Sequence, residues 1–184
     1  ERGRAVARVK ELVEVADRFR SMVNIGRVRG PVETGPGRGD SEARFLEALD
    51  AVAGYAEPRG ITIAVEPVNR YELNFINRVD EAVEIIGRLG RANIMVMADV
   101  FHMNIEDRSI EGSLAAHLGR IAYIHVADSN RLAPGMGHLN FSNIIAVLES
   151  LKYEGYLTAE ILPHPTPDEA AAFAARSLKA LVSR

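Results

Sequence analysis

Residues 61–99 read ITIAVEPVNRYELNFINRVDEAVEIIGRLGRANIMVMAD and contain one complete strand–helix–strand pattern. The apolar, β-branched runs Ile61–Glu66 and Ile94–Asp99 are typical of buried strands. Between them, Val79–Leu89 repeats apolar residues at the helical period and is stopped by Gly90. Two strands joined by a helix, without a hairpin signal, are expected to lie parallel in one sheet.

The same alternation continues on both sides of this unit. Three further strands are predicted, at Met22–Gly26, Ile121–Val126 and Tyr156–Ile161. Further helices are predicted at Val6–Phe19, Phe45–Ala53, Ile110–Leu118 and Ile144–Leu151, and after the capping box Thr166–Glu169. Doubly wound sheets and (β/α)8 barrels share this pattern. Because no Gly-x-Gly-x-x-Gly follows a strand, the dinucleotide-binding version of the doubly wound sheet loses support.

Composition restricts the class of protein. The chain has 184 residues, of which 47% are hydrophobic and 26% are charged, as in one ordinary globular domain. A formal net charge of -3 gives no reason to expect nucleic acid as a partner, and no apolar run is long enough for a membrane span. Cysteine is absent, which excludes disulfides and thiolate chemistry within the chain. A cytoplasmic location is predicted.

Four of the predicted strands end in a residue that can bind a metal: Glu66, Asp99, His125 and Glu160. Any one of them alone is more simply read as a strand-end salt bridge or a packed histidine. Successive residues in this set are separated by about one strand–helix unit, and the carboxyl ends of barrel strands converge on one face. The four are therefore predicted to bind one divalent ion. Three carboxylates and one imidazole suit Mn²⁺, Mg²⁺ or Co²⁺.

The segments around these residues carry a family resemblance. Glu66–Glu72 (EPVNRYE), Asp99–Asn104 (DVFHMN), His125–Arg131 (HVADSNR) and Ala133–His138 (APGMGH) resemble the hallmark segments of the ketose 3-epimerases. That family includes D-tagatose and D-psicose 3-epimerases and belongs to the xylose-isomerase-like TIM barrels. Within it, the last two segments are most similar to 5-keto-L-gluconate epimerase.

The resemblance implies a site and a cofactor. Metal binding is implied for Glu66, Asp99, His125 and Glu160, proton transfer for Glu66 and Glu160, and substrate contact for Glu72, His102 and Arg131. The ion is expected to be Mn²⁺, with Mg²⁺, Co²⁺ and Zn²⁺ as alternatives, and the protein is expected to form a homo-oligomer. Val100 and Asp128 depart from the usual family residues and leave the sugar preference open.

The resemblance also sets an expectation for the domain. A closed eight-stranded barrel takes roughly 250 residues. Residues 1–184 are therefore expected to form a single α/β domain corresponding to the last five strand–helix units of a (β/α)8 TIM barrel, without the first three.

The leading functional hypothesis is epimerisation of a ketose or keto-sugar acid at a carbon next to the carbonyl. One glutamate removes a proton to give an enediolate, and the other returns a proton to the opposite face. Aldose–ketose isomerisation is the near alternative. An abasic-site endonuclease shares the barrel, but it needs a multi-zinc cluster and a basic face, which five histidines and a negative net charge do not favour. An inactive barrel fragment or interaction module is the non-enzyme alternative.

Overall fold

A computed structural model describes residues 1–182 as alternating strands and helices. The helices are α1 (Arg2–Phe19), α2 (Arg38–Ala56), α3 (Val79–Gly87), α4 (Val100–Glu106), α5 (Ile110–His117), α6 (Phe141–Ser150) and α7 (Pro167–Val182). The strands are β1 (Val23–Ile25), β2 (Ile63–Val65), β3 (Ile94–Asp99), β4 (Ile121–Val126) and β5 (Tyr156–Ala159). Short 3-10 turns lie at Arg27–Arg29, Gly35–Gly37, Glu57–Arg59 and Leu118–Arg120.

The strands form one sheet in the order β1-β2-β3-β4-β5. Strand β1 pairs in parallel with β2, where Val23 faces Ile63, and β2 pairs in parallel with β3, where Ile63 faces Ile94. Strand β4 also pairs in parallel with β5, where Tyr123 faces Tyr156. Strands that are neighbours in sequence are thus neighbours in the sheet, as a repeated strand–helix unit requires. This confirms the five predicted strands and their parallel arrangement.

The chain divides into two compact units, and the first comprises Glu1–Met97. Its core forms where α1 packs against α2, burying Val13 and Leu49. Strand β2 is buried along its whole length, as expected for a strand of a parallel sheet covered on both faces. Helix α3 buries Val79, Ala82, Ile85 and Ile86, the periodic apolar positions of the sequence.

The second unit comprises the remainder of the chain, from Ala98. Helix α6 packs against α5 and α7 and buries Ile144, Ile145 and Leu148. The predicted capping box at α7 is present in part, since the Thr166 hydroxyl accepts a hydrogen bond from the Glu169 N–H at 3.3 Å. Within residues 1–182, no helix is both long enough and apolar enough to cross a bilayer.

Helix α4 is the element that the sequence pattern did not predict. It begins immediately after β3, with the Asp99 side chain accepting a hydrogen bond from the Phe101 N–H at 2.8 Å. Because α4 spans only Val100–Glu106, it offers too few turns for a helical period to be recognised. His102 therefore lies on a helix that directly follows β3.

Candidate metal centre

Three of the predicted ligands lie together in the second unit, at the carboxyl ends of successive strands. Asp99 is the last residue of β3, His125 lies next to the end of β4, and Glu160 directly follows β5. One ligand atom from each lies within 4.8 Å of the others. Nδ1 of His125 is 3.2 Å from Oε2 of Glu160 and 3.9 Å from Oδ2 of Asp99.

The parallel register of β4 and β5 produces this proximity. His125 faces Thr158 and Val126 faces Ala159, so the residue after Ala159 reaches the edge where β4 ends. The Glu160 N–H donates to the Val126 carbonyl at 3.2 Å, which continues the ladder past the last strand residue. Glu160 is thereby fixed beside His125 although it lies outside β5.

Asp99 is the most deeply buried member of the cluster, at 1% exposure. Oδ1 accepts the hydrogen bond that starts α4, and Oδ2 is directed toward His125 and Arg131. A buried carboxylate is unfavourable unless a counter-charge or hydrogen bonds compensate for the lost hydration. The helix N-terminus and the neighbouring cation supply that compensation.

Glu160 is ionised at neutral pH. A hydrogen bond with His125 and the positive charges of Arg131 and His125 lower the pKa of its carboxyl group to about 2, against the opposing effect of burial. Glu160 is thus suited to bind a cation.

Arg131 lies among these carboxylates. Its guanidinium donates to Oδ2 of Asp99 at 2.7 Å and also to Oε2 of Glu160. The same group stacks over the Phe101 ring, 4.7 Å from its centroid. A predicted substrate-contact residue is therefore held against two predicted metal ligands.

His102, a second predicted substrate contact, is buried on α4. Its Nε2 lies 3.9 Å from Oδ2 of Asp99, and its ring meets that of Phe101 edge-on. His102, Arg131 and His125 all approach the same oxygen of Asp99.

Glu66 belongs to the first unit. It directly follows β2, is 6% exposed, and donates its N–H to the Ile25 carbonyl at 3.1 Å. Asn24 donates from Nδ2 to Oε2 of Glu66 at 2.6 Å. A Cβ atom on Gly26 would come within 2.7 Å of the same oxygen, so the absence of a side chain at Gly26 leaves room for the carboxylate.

Arg29 stabilises the backbone around Glu66. Its guanidinium donates to the carbonyls of Gly26, Glu66 and Ile76 at 2.8 Å and to that of Phe75 at 2.9 Å. Burial lowers the pKa of Arg29 to about 10, although the nearby charge of Glu66 opposes the shift. One side chain thus joins the loops after β1 and β2.

Glu72, the remaining predicted substrate contact, lies in the loop after β2. Oε1 accepts a hydrogen bond from Asn69 at 3.3 Å, and Oε2 lies 3.7 Å from the Arg27 guanidinium. Both contacts lie within the first unit, and substrate contact by Glu72 stays a prediction.

The cluster in the second unit has the composition of a divalent-metal site. Two carboxylates and an imidazole are donors that Mn²⁺, Mg²⁺, Co²⁺ and Zn²⁺ accept, and their separations fit ligands around one ion. The donor set therefore fits the metal that the sequence predicted, without selecting among these ions.

Comparison with known proteins identifies the family. The sequence model of the xylose isomerase-like TIM barrel matches residues 1–181. The chain belongs to that family. An L-ribulose 3-epimerase of Methylomonas sp. is 34% identical over 126 residues, covering 68% of this chain and 44% of the relative. A D-psicose 3-epimerase of Agrobacterium fabrum is 32% identical over 118 residues, covering 64% of this chain and 41% of the relative.

The fold agrees with this assignment. The crystal structure of a D-allulose 3-epimerase from Methylomonas sp. superposes with a TM-score of 0.87 at 24% identity, covering 97% of this chain and 70% of that one. The predicted TIM-barrel class and the resemblance to ketose 3-epimerases are confirmed. The chain spans less than half the length of these two curated relatives.

Two residues near the predicted site were not singled out from the sequence. Asn24 leaves a detectable signal, because it is an amide between the buried residues Val23 and Ile25 of a strand. Arg29 leaves none, because the carbonyls that it binds lie as far as 47 residues away along the chain.

Proposed function

We propose that this chain supplies the metal centre and the proton-transfer groups of a divalent-metal-dependent sugar epimerase. The reaction inverts a carbon next to the carbonyl of a ketose or keto-sugar acid. The observation that carries the proposal is the cluster of Asp99, His125 and Glu160 at the ends of successive strands. It occurs in a chain whose family relatives are named as sugar epimerases.

Glu66 is proposed as the fourth ligand. It follows β2 as Glu160 follows β5, and β2 pairs in parallel with β3, the strand that ends at Asp99. Because the carboxyl ends of barrel strands converge on one face, this position at the end of β2 supports a role for Glu66 as a ligand of the same ion. Asn24 fixes one carboxylate oxygen of Glu66, which preorganises the group for binding.

The proposed ion is Mn²⁺, because the set is dominated by carboxylate oxygen. When bound, a divalent ion polarises the sugar carbonyl and so acidifies the neighbouring C–H. A homo-oligomeric state, which the family resemblance implies, and a cytoplasmic location are part of the same proposal.

Proton transfer is assigned to Glu66 and Glu160. The lowered pKa of Glu160 keeps its carboxylate ionised at neutral pH, which both metal binding and proton acceptance require. In the proposed reaction, one glutamate removes the proton from the carbon next to the carbonyl. The other returns a proton to the opposite face of the planar enediolate and so inverts the centre.

Substrate contact is assigned to Glu72, His102 and Arg131. His102 and Arg131 both approach Oδ2 of Asp99, which puts a donor group of each beside the proposed ligand. Their imidazole and guanidinium groups are suited to sugar hydroxyls and to negative charge that develops on oxygen. For Glu72 the support is its position on the loop that follows Glu66.

The proposal is tested with purified protein in deuterium oxide, with and without Mn²⁺. Candidate sugars are D-psicose, L-ribulose, D-tagatose and 5-keto-L-gluconate, and NMR locates the incorporated deuterium. Epimerisation labels the inverted carbon and leaves the carbonyl in place. Movement of the carbonyl would establish aldose–ketose isomerisation instead. Absence of both turnover and stoichiometric Mn²⁺ binding would favour an inert fragment or interaction module.

Glu160→Gln is expected to lower turnover by about 10²- to 10⁴-fold, the range for loss of a general acid–base group. The far-UV circular dichroism spectrum is expected to stay unchanged, because Glu160 lies at an exposed edge. Glu149→Gln, an exposed change on α6, is the matched control and is expected to retain activity. Near-normal turnover in Glu160→Gln would contradict the assigned role.

A further inference from the structure

The loop after β4 is built around a carboxylate that the proposed chemistry does not use. Asp128 is completely buried. Oδ1 accepts hydrogen bonds from the Ser129 N–H at 2.8 Å and the Leu139 N–H at 3.1 Å, and Oδ2 accepts one from the Gly135 N–H at 2.8 Å. One side chain thus joins both ends and the middle of the loop 128–139.

The backbone of Asp128 fixes the turn that carries Arg131. Its carbonyl accepts from the Arg131 N–H and its own N–H donates to the Leu132 carbonyl, both at 2.8 Å. Arg131 adopts a φ of 62°, in the left-handed region that residues other than glycine rarely occupy. The Leu162 N–H also donates to the Arg131 carbonyl at 2.8 Å. The surrounding loop therefore holds Arg131 in a backbone conformation that it would not favour by itself.

Gly137 shows how closely the loop encloses Asp128. A Cβ atom at this position would lie 2.3 Å from Oδ1 of Asp128 and 2.5 Å from Oγ of Ser129. Both distances are far below van der Waals contact, so any side chain at Gly137 would displace the carboxylate. The loop can therefore be disturbed in two ways, by a substitution of Asp128 or by a side chain added at Gly137.

We propose that Asp128 is a positioning residue for the sugar reaction, which acts by holding the loop 128–139 so that the Arg131 guanidinium faces the substrate site. The inference rests on the proposed function. The side chain of Asp128 contacts backbone groups of its own loop, whereas Arg131 reaches Asp99 and Glu160. Asp128 therefore influences the reaction through Arg131.

A double-mutant cycle separates this role from a general contribution to stability. The variants are Asp128→Asn, Arg131→Ala and the double mutant, and kcat/KM is measured for Mn²⁺-dependent epimerisation by the intact protein. Asp128→Asn is expected to lower kcat/KM about 10-fold when Arg131 is present and less than about 2-fold when Arg131 is absent, because interacting residues are non-additive. The Mn²⁺ affinity of Asp128→Asn, measured by electron paramagnetic resonance, is expected to stay within about 2-fold of the wild type, since this variant alters no proposed ligand.

Two further variants keep the test interpretable. Gly137→Ala displaces the same carboxylate from the opposite side. Its effect on kcat/KM is also expected to depend on whether Arg131 is present. If Asp128→Asn does not fold, Gly137→Ala takes its place in the cycle. Asn140→Ala removes the N-cap of α6, where the Asn143 N–H donates to the Asn140 side chain at 3.1 Å. This control is expected to weaken folding without any dependence on Arg131. Hydrogen exchange at the Gly135 and Leu139 amides should accelerate in Asp128→Asn and not in Asn140→Ala.

The outcomes distinguish the two proposals. If the unmodified protein turns over sugar and the effects of Asp128→Asn and Arg131→Ala simply multiply, the positioning role is wrong and the proposed function stands. If the unmodified protein shows no Mn²⁺-dependent turnover, the proposed function fails and the positioning role fails with it.

Discussion

At the scale of single residues, Asp128 shows how backbone dipoles stabilise a buried charge. Burial alone would raise the pKa of its carboxyl group, but hydrogen bonds from the N–H groups of Leu139, Ser129, Gly137 and Gly135 outweigh it, and the pKa falls below its usual value. Ionised Asp128 therefore stabilises the folded state at pH values above the unfolded pKa of about 3.9. That contribution is lost as the pH falls through the lower, folded pKa.

Asp128→Asn is accordingly expected to lower the free energy of unfolding by about 1–3 kcal/mol at pH 7, the range for a disrupted buried hydrogen-bond set. Part of this deficit should disappear below about pH 4, since the wild type then also loses the stabilising charge. Urea denaturation at several pH values measures both quantities. A deficit that does not change with pH would contradict the electrostatic part of the argument. Asp17→Asn, at an exposed position in α1, is the control and is expected to change stability by less than about 0.5 kcal/mol.

At the scale of elements, Arg29 joins two segments that are distant in sequence. It follows β1 and donates to carbonyls at the end of β1, directly after β2 and farther along the loop after β2. A planar guanidinium can serve several acceptors at fixed angles, which a lysine ammonium cannot reproduce. The backbone position of Glu66 therefore depends on a side chain of the preceding strand–helix unit.

Arg29→Lys is expected to lower the free energy of unfolding by about 2–4 kcal/mol, because buried carbonyls lose their donors. Thermal or urea unfolding measures the loss. Arg8→Lys, which alters an exposed pair with Glu11 on α1, is the matched control and should be nearly neutral. Equal stabilities for Arg29→Lys and the wild type would show that water replaces the lost donors.

Local patterns explain which elements the sequence could predict. Strands β3 and β4 have the predicted bounds, because each is a mainly apolar run with a polar residue at its end, Asp99, or next to its end, His125. Helix α4 was missed because its start signal is Asp99, a residue that also completes the strand pattern. The candidate metal ligands at the strand ends could be predicted from the sequence, since their positions follow from the strand–helix repeat.

The supporting contacts could not be predicted in the same way. Asn24 binds a carboxylate 42 residues away, and Asp128 depends on the path of a loop without regular structure. Such contacts are set by how distant backbone segments meet, for which a single sequence gives no periodic signal. The sequence therefore predicted the ligand candidates, and the structure identified the residues that hold them.

At the scale of the whole molecule, clustered carboxylates link metal binding to folding. Asp99 and Glu160 lie close together and are compensated in part by Arg131. A divalent ion would add further compensation in the folded state alone, because the ligands come from strands that are distant in sequence. Any ligand that binds only the folded protein raises its stability by mass action.

Mn²⁺ at about 100 times its dissociation constant is therefore expected to stabilise the protein by about 2.7 kcal/mol, with a matching rise in Tm that a chelator reverses. Asp99→Asn should remove most of this rise, because a neutral amide is a much weaker ligand for a hard ion. Asparagine is as good a helix N-cap as aspartate, so the hydrogen bond that starts α4 can be retained and the metal-free variant should still fold. Differential scanning calorimetry with and without Mn²⁺ measures the shift. An equal shift in both proteins would mean that the ion binds elsewhere, and the epimerase assignment would lose its metal centre.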